Sequence, residues 1–352
     1  MIFEQIAAGG CQSYLVGCAN ACAAALIDPE YSKVNTYQAL AAKHGLRIRY
    51  LIDTHTHADH FSGSKQLRET IGAPVVAHRL APAPYIDIRI DEGDTLKIGD
   101  VRLTALYTPG HTRDSISLVA DDRIFTGDAL LIGATGRTDL PSGDPEALYD
   151  SLFGKLLKLD PDLKIYPAHD YKGDSSSTLR EEIASNPRLQ KRDKAAFVQM
   201  MQTLNLQMPT HLTEALRVNM SGGVSVAQML ADAAAQVPFV SMAEVKTRVG
   251  AGANDFVVLD VRERDAYEAG HIPGARHLPR GQLELRVNDA FPDPTLRIVA
   301  YCDVGKISTL AAEKLRRMGF TRAAALDGGM KAWSEQGFPV ESGPEHAPRT
   351  QA

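Results

Sequence analysis

The segment THTHADH puts His55, His57, Asp59 and His60 into six residues, directly after the apolar run RYLI and before a helix-like stretch. Imidazoles and a carboxylate crowded at a strand end would repel one another or stay unsatisfied unless a cation joined them, so a metal site is the economical reading. Further donors follow at later strand ends. PGHT presents His111, FTGD presents Asp128 and YPAHD presents His169, each after an apolar run. Isolated histidines such as His44 and His211 lack such company and read as ordinary hydrogen-bonded residues. A second reactive group stands far along the chain: Cys302 follows the apolar strand RIVAY and precedes DVGKIS and a helix. Its sulfur belongs in a loop where backbone N–H groups converge near a helix N-terminus, a setting for nucleophilic sulfur chemistry.

These groups need a scaffold, and the patterning supplies an α/β one. From Gln12 to Pro29 two short apolar runs, SYLVGC and AAALIDP, suit neighbouring strands joined by a tight turn. Period-2 alternation in DTLKIGDVRLTALYTPG and DSISLVADDRIFTGDAL gives several more strands, broken at Gly99, Pro109 and Asp121-Asp122. Helical spacing runs from Ser62 to Ile71 and from Asp144 to Leu159, the latter with Asp144 as N-cap and Pro145 at the first helical position. Thr178 to Leu204 is charged and helical, and Gln207 to Pro238 mixes Pro, Gly, Ser and Ala without firm periodicity, as a helical tail and linker would. Beyond Pro238 the order helix, FVVLDV, helix, RIVAYC, helix, AAALDG is that of a parallel sheet covered on both faces.

A chain of 352 residues and 38.1 kDa exceeds what one hydrophobic core usually serves, so two domains are expected. We expect a first domain over 1–238, with its core in 1–205 and a tail and linker in 206–238, then a second over 239–342 and a disordered tail over 343–352. The net charge of −5 leaves no basic footprint for nucleic acid, and no apolar run approaches a membrane span. The first residues read as entry into a strand rather than a signal peptide, so a cytoplasmic protein with small-molecule partners is expected, with a homodimer left open. Cys11, Cys18, Cys22 and Cys302 form no CxxC pair, which argues against a disulfide framework, and the first three read as small core filler.

HxHxDH with a later PGHT, GD and AH resembles the metallo-β-lactamase superfamily, which implies an αββα sandwich. Within it, GRTDLPSGD and YPAHDYKG resemble the persulfide dioxygenases rather than the hydroxyacylglutathione hydrolases, over residues 10 to about 205. Ligand counting leaves both chemistries open, because all seven ligand positions of a dinuclear zinc hydrolase are present. The dioxygenase resemblance implies one Fe(II) per chain held by His55, His111 and Asp128, a two-histidine, one-carboxylate face with open positions. His57, Asp59, His60 and His169 would then orient ligands and manage protons. It also implies glutathione persulfide and O2 as substrates, with sulfite and glutathione as products. Arg137 in GATGR stands where related glutathione-using enzymes place a cation, Tyr171 matches a glutathione-contacting tyrosine, and Lys172 is adjacent.

LDVRERDAYEAGHIPGARHLP, the loop CDVGKIS and LDGGMKAW together resemble a single rhodanese domain. The resemblance implies that Cys302 accepts a sulfane sulfur as a persulfide and passes it to a second thiol or to sulfite. Asp303, Val304, Gly305, Lys306, Ile307 and Ser308 form the loop around it, while Asp260, Arg262, His271 and Gly274 are structural. Many rhodanese loops carry an arginine before the serine. Ile307 stands there in this chain and Asp303 sits beside the cysteine, which reduces positive charge at the sulfur. The pairing of domains implies a bifunctional enzyme that also exchanges sulfur between thiosulfate and glutathione. Two alternatives stand beside it: a dizinc hydroxyacylglutathione hydrolase with an appended rhodanese domain, and a dioxygenase whose rhodanese module is not catalytic.

Overall fold

The structure is a computed structural model that describes residues 1–170, 173, 176–208, 212–251 and 256–344. It divides into two compact units, Met1–Gly223 and Val224–Ala352. The division falls inside the stretch expected to be tail and linker, and that stretch is less irregular than its composition suggests. Leu212–Ser221 is a helix of the first unit and Val226–Gln236 a helix of the second. The second starts with a capping box, Ser225 and Gln228 closing on each other, and this pair is visible in the sequence SVAQ.

The first unit holds two six-stranded sheets. One runs in the order Ile2–Ala8, Cys11–Cys18, Ala23–Ile27, Arg47–Ile52, Val75–His78, Ile88–Ile90, antiparallel over its first three strands and parallel thereafter. The other runs Ser177–Thr178, Lys164–Pro167, Arg123–Gly127, Ile116–Val119, Val101–Tyr107, Thr95–Ile98. Alternation along each strand sorts side chains between two faces. Tyr14, Val16, Ala25 and Ile27 meet Leu103, Ile116, Leu118 and Phe125 from the other sheet in one shared core. Leu15, Leu26, Leu51 and Val75 point the opposite way, against Val34, Tyr37 and Leu67 of helices Val34–Lys43 and Ser64–Ile71. Ile124 and Ile165 cover the far face with Leu148 and Leu152 of helix Pro145–Gly154 and with Phe197 and Met201 of helix Lys194–Gln202. The layers are therefore helix, sheet, sheet, helix, the αββα sandwich. Asp144 caps its helix as expected, accepting the N–H groups of Glu146 and Ala147, but the helix ends at Gly154 and continues only as a 3₁₀ turn over Leu156–Lys158.

The second unit is one five-stranded sheet, in the order Phe239–Val240, Ala324–Leu326, Arg297–Tyr301, Phe256–Asp260, Arg276–His277, with every pairing parallel. Both faces are buried, one around Val258, Val299, Met330 and Trp333 and the other around Leu259, Ile298, Ala311 and Leu315. Cys302 follows the third strand in that order directly, and helix Lys306–Arg317 begins four positions later. Of the expected tail, residues 345–352 lie outside the described residues. Among the described residues no helix is long and apolar enough to cross a membrane.

Candidate metal centre and thiol loop

His55 lies just past strand Arg47–Ile52, His111 past strand Val101–Tyr107, and Asp128 immediately past strand Arg123–Gly127. Two glycines allow the chain to turn there. Gly110 has φ +138° and a Cβ on it would stand 2.3 Å from Leu148 Cα, while Gly127 has φ +52° and a Cβ would stand 2.7 Å from Thr54 Oγ1. His111 Nε2 and His55 Nε2 lie 3.4 Å and 4.0 Å from Asp128 Oδ2, and donors from these three buried residues all fall within 4.8 Å of one another.

The outer nitrogens of both imidazoles are committed elsewhere. His55 Nδ1 is 3.0 Å from Thr54 Oγ1, which itself donates to Asp28 Oδ2 at 2.9 Å, so the imidazole donates and Nε2 is left as the lone-pair nitrogen. His111 Nδ1 donates to the Arg137 carbonyl at 2.8 Å, with the same result. His55 Nε2 is buried and has no hydrogen-bond partner among the described residues, an expensive condition that a cation would relieve. Burial, with His57 beside it, pushes His55 down to about 3, so it is neutral and ready to ligate at neutral pH. Asp128 is buried too, yet His169, His111 and His55 hold its carboxyl well below the usual range. Two imidazoles, each with its outer nitrogen committed, and a carboxylate fit a divalent metal.

The remaining motif residues sort into two other groups. His57 Nε2 lies 3.3 Å from Asp28 Oδ1, and His57 gathers with Asp28 and Asp53. His169 joins Asp128 Oδ1 through Nδ1 at 2.7 Å and approaches Asp59 Oδ2 through Nε2 at 2.6 Å. Asp59, His60 and His169 cluster with Cys11, whose Sγ lies 4.0 Å from Asp59 Oδ2. Cys11 is thus not core filler: it pairs across a β-bridge with His169. Asn219 is a second residue that sequence reasoning missed. From helix Leu212–Ser221 it donates to the carbonyls of His57 and His60 at 2.9 and 2.8 Å and accepts the Ser62 N–H at 3.0 Å, pinning the histidine loop.

A cavity of about 580 Å³ opens on the centre, lined by Asp59, His111 and Asp128 together with Thr135, Arg137 and Arg188. Arg137 therefore lies where a ligand carboxylate could meet it, but its guanidinium already forms a fork on Asp139 at 2.6 and 2.7 Å. Arg188 is half-buried, its guanidinium donates to Thr135 O at 2.6 Å and Oγ1 at 3.1 Å, and among the described residues it has no carboxylate partner. Tyr171 and Lys172 lie outside the described residues.

In the second unit Cys302 is buried, and its Sγ accepts the backbone N–H of Ser308 at 3.4 Å. Asp303 is exposed and bound by Arg262 Nη1 at 3.2 Å, and Arg262 also grips Asp260 and the Gly270 carbonyl, each at 2.6 Å. Arg262 and Asp260 thus support the loop rather than react. Gly329 packs so closely that a Cβ on it would stand 2.5 Å from the Cys302 carbonyl oxygen.

The metallo-beta-lactamase superfamily matches residues 6–169, and the rhodanese-like domain matches residues 241–336. Persulfide dioxygenase ETHE1 of Homo sapiens is 40% identical over 215 residues, 60% of this chain and 84% of the human protein. The chain belongs to the persulfide dioxygenase family. A crystal structure of ETHE1 from Myxococcus xanthus superposes with TM-score 0.62 at 38% identity, covering 64% of this chain and 100% of that one. A Staphylococcus aureus metallo-beta-lactamase structure covers 93% of this chain and 98% of its own at TM-score 0.61 and 22% identity, a likeness of fold. A persulfide dioxygenase domain carrying a rhodanese-like domain marks an enzyme of sulfur metabolism, and family membership implies a bound metal that the unpaired His55 Nε2 and its two neighbours fit.

Proposed function

We propose that the first unit oxidises glutathione persulfide with O2 and water to sulfite and glutathione, using one Fe(II) held by His55, His111 and Asp128. The observation that carries this reading is the sorting of the donors: these three form a group of their own, while His57 gathers with Asp28 and Asp53, and Asp59 and His60 gather with Cys11 and His169. Iron supplies the one-electron and dioxygen chemistry. The chain binds and orients. Arg188, with Arg137 beside it, meets the glutathione carboxylates at the cavity wall, and Leu131 and Leu140 pack on its carbon skeleton. Oxidation releases protons, and Asp59, which lines the same cavity and lies against His169, is positioned to hold them and pass them on.

In the same proposal Cys302 carries sulfur between thiosulfate and glutathione as a persulfide, so that one unit makes or drains the substrate of the other. The setting is cytoplasmic and the partners are small molecules. One observation favours a rival: Cys11, Asp59, His60 and His169 are a second set of metal donors, as a two-metal thioester hydrolase needs. Elemental analysis of protein purified without chelators, together with an oxygen electrode, separates the two. The proposal expects about one iron per chain and oxygen uptake on adding glutathione persulfide. Two zincs per chain with thioester turnover and no uptake would replace it.

A further inference from the structure

What surrounds the Cys302 sulfur determines which sulfur compounds can reach it. The sulfur lies at the base of the loop, bonded by the Ser308 N–H, in a residue that is 2% exposed. Between Cys302 and Ser308 the side chains are Asp303, Val304, Lys306 and Ile307. Asp303 has its charge met by Arg262. Arg262 is committed in turn to Asp260, Asp303 and the Gly270 carbonyl, and its side chain is 8% exposed, so it has little reach for an incoming anion. Val304 and Ile307 are 56% and 51% exposed, two large branched apolar side chains on a seven-residue loop and members of neither core cluster of this sheet. Lys306 lies between them at the start of helix Lys306–Arg317, and Lys331 donates its backbone N–H to the Asp303 carbonyl. Both lysines are exposed, where a cation is well hydrated and screened.

Thiosulfate carries its sulfonate directly on the sulfane sulfur. To present that sulfur to Cys302 it must bring the oxygens against the rim, shed their water, and leave as sulfite. Backbone N–H groups of the loop meet part of that demand, and the rest requires fixed cations at the rim. An organic persulfide, R–CH2–S–SH, brings a methylene to the same place. We propose that Val304 and Ile307 make Cys302 selective for organic persulfides and thiols over thiosulfate. The inference rests on the reading of Cys302 as sulfur carrier and assigns its fast half-reaction. In that step the Cys302 thiolate attacks the outer sulfur of R–S–S–H. A bond forms between Sγ and that sulfur, the S–S bond of the donor breaks, and its electron pair leaves on R–S⁻, giving Cys302–S–SH. The reverse step hands the sulfur to a thiolate.

The test uses the full chain without oxygen, so that the first unit is idle, and reads Cys302 persulfide formation by intact mass, with Cys302→Ser as the blank. Glutathione persulfide is expected to load Cys302 with a kcat/KM at least about tenfold above thiosulfate, the scale of one charge-assisted contact. Ile307→Arg should raise the thiosulfate rate about tenfold, mainly through KM, and leave glutathione persulfide no faster. Ile307→Ala should slow glutathione persulfide and give thiosulfate no gain. Thiosulfate loading as fast as glutathione persulfide in the unaltered protein, or no response of thiosulfate to Ile307→Arg, overturns the inference alone. No loading from either donor overturns it together with the sulfur-carrier reading.

Discussion

At the metal centre almost every motif side chain is gripped by a side chain from elsewhere in the chain, whereas the loop around Cys302 is shaped mainly by backbone. Asp28 reaches His57 and, through Thr54, His55; Asn219 ties the carbonyls of His57 and His60; Asp128 holds His169. The thiol loop has a backbone N–H on its sulfur, one Arg262 clamp and a buried Ser308 that donates to the Gly305 carbonyl, while Val304, Lys306 and Ile307 face solvent. A site assembled from residues 28 to 219 fixes ligand identity and orientation but passes on any distant damage. A site assembled from seven consecutive residues is insulated from such damage, and its selectivity is exposed to single changes at the rim.

The largest effect should come from breaking the first site alone. His111→Ala removes a donor whose Nε2 is 3.4 Å from Asp128 Oδ2. Bound iron and oxygen uptake should both fall by more than about a hundredfold, beyond the loss usual for an outer-shell partner. Loading of Cys302 by glutathione persulfide should be unchanged in the same protein. If His111→Ala also abolished Cys302 loading, the two sites would not be independent and the comparison would fail.

Asn219→Ala tests the distributed half of the contrast without touching a donor. It leaves the His57 and His60 carbonyls and the Ser62 N–H buried and unpaired, at about 1–3 kcal/mol for each group that water does not reach. The first unit should melt several degrees lower, and metal affinity should drop about tenfold, as for other residues that orient ligands indirectly. Calorimetry and a metal titration check both, and the second unit's transition should stay in place. Unchanged metal affinity would mean that the histidine loop holds its shape unaided.

What the sequence revealed follows the same division. Donors set at strand ends were legible because strand, turn and histidine are neighbours in the chain, as in THTHADH and PGHT. Cys302 was legible for the same reason. Cys11 was not, because its role comes from the β-bridge to His169, a pairing between residues 158 positions apart that no local pattern announces. Asn219 lay in a stretch without clear periodicity, and its three hydrogen bonds exist only once helix Leu212–Ser221 has packed on the histidine loop. Arg188 sits between charged segments and reads as solvated until the fold half-buries it in the cavity. Several strands were legible from alternation, and the αββα order of layers came from the resemblance to the metallo-β-lactamase superfamily, while helix Pro145–Gly154 stopped short of its expected end because Lys155, at φ −128° and ψ −70°, leaves helical geometry.

The smallest effects should separate the two arginines of the cavity. Burial lowers the Arg188 pKa, yet a guanidinium stays charged at any ordinary pH, and this one has no carboxylate partner among the described residues. Its charge is available to a substrate carboxylate, so Arg188→Ala should raise KM for glutathione persulfide about tenfold with kcat little altered, the pattern of a contact made equally in ground and transition state. Arg137 must first release or share Asp139, to which it is bound by two hydrogen bonds. Arg137→Ala should therefore raise KM only about threefold, because the net gain of meeting a second carboxylate is smaller. Asp139→Asn sharpens the point: it frees the Arg137 guanidinium and should lower KM. Steady-state oxygen uptake against persulfide concentration reads all three. An Arg137→Ala effect larger than that of Arg188→Ala would make Arg137 the principal carboxylate contact and its bond to Asp139 a feature of the unliganded cavity.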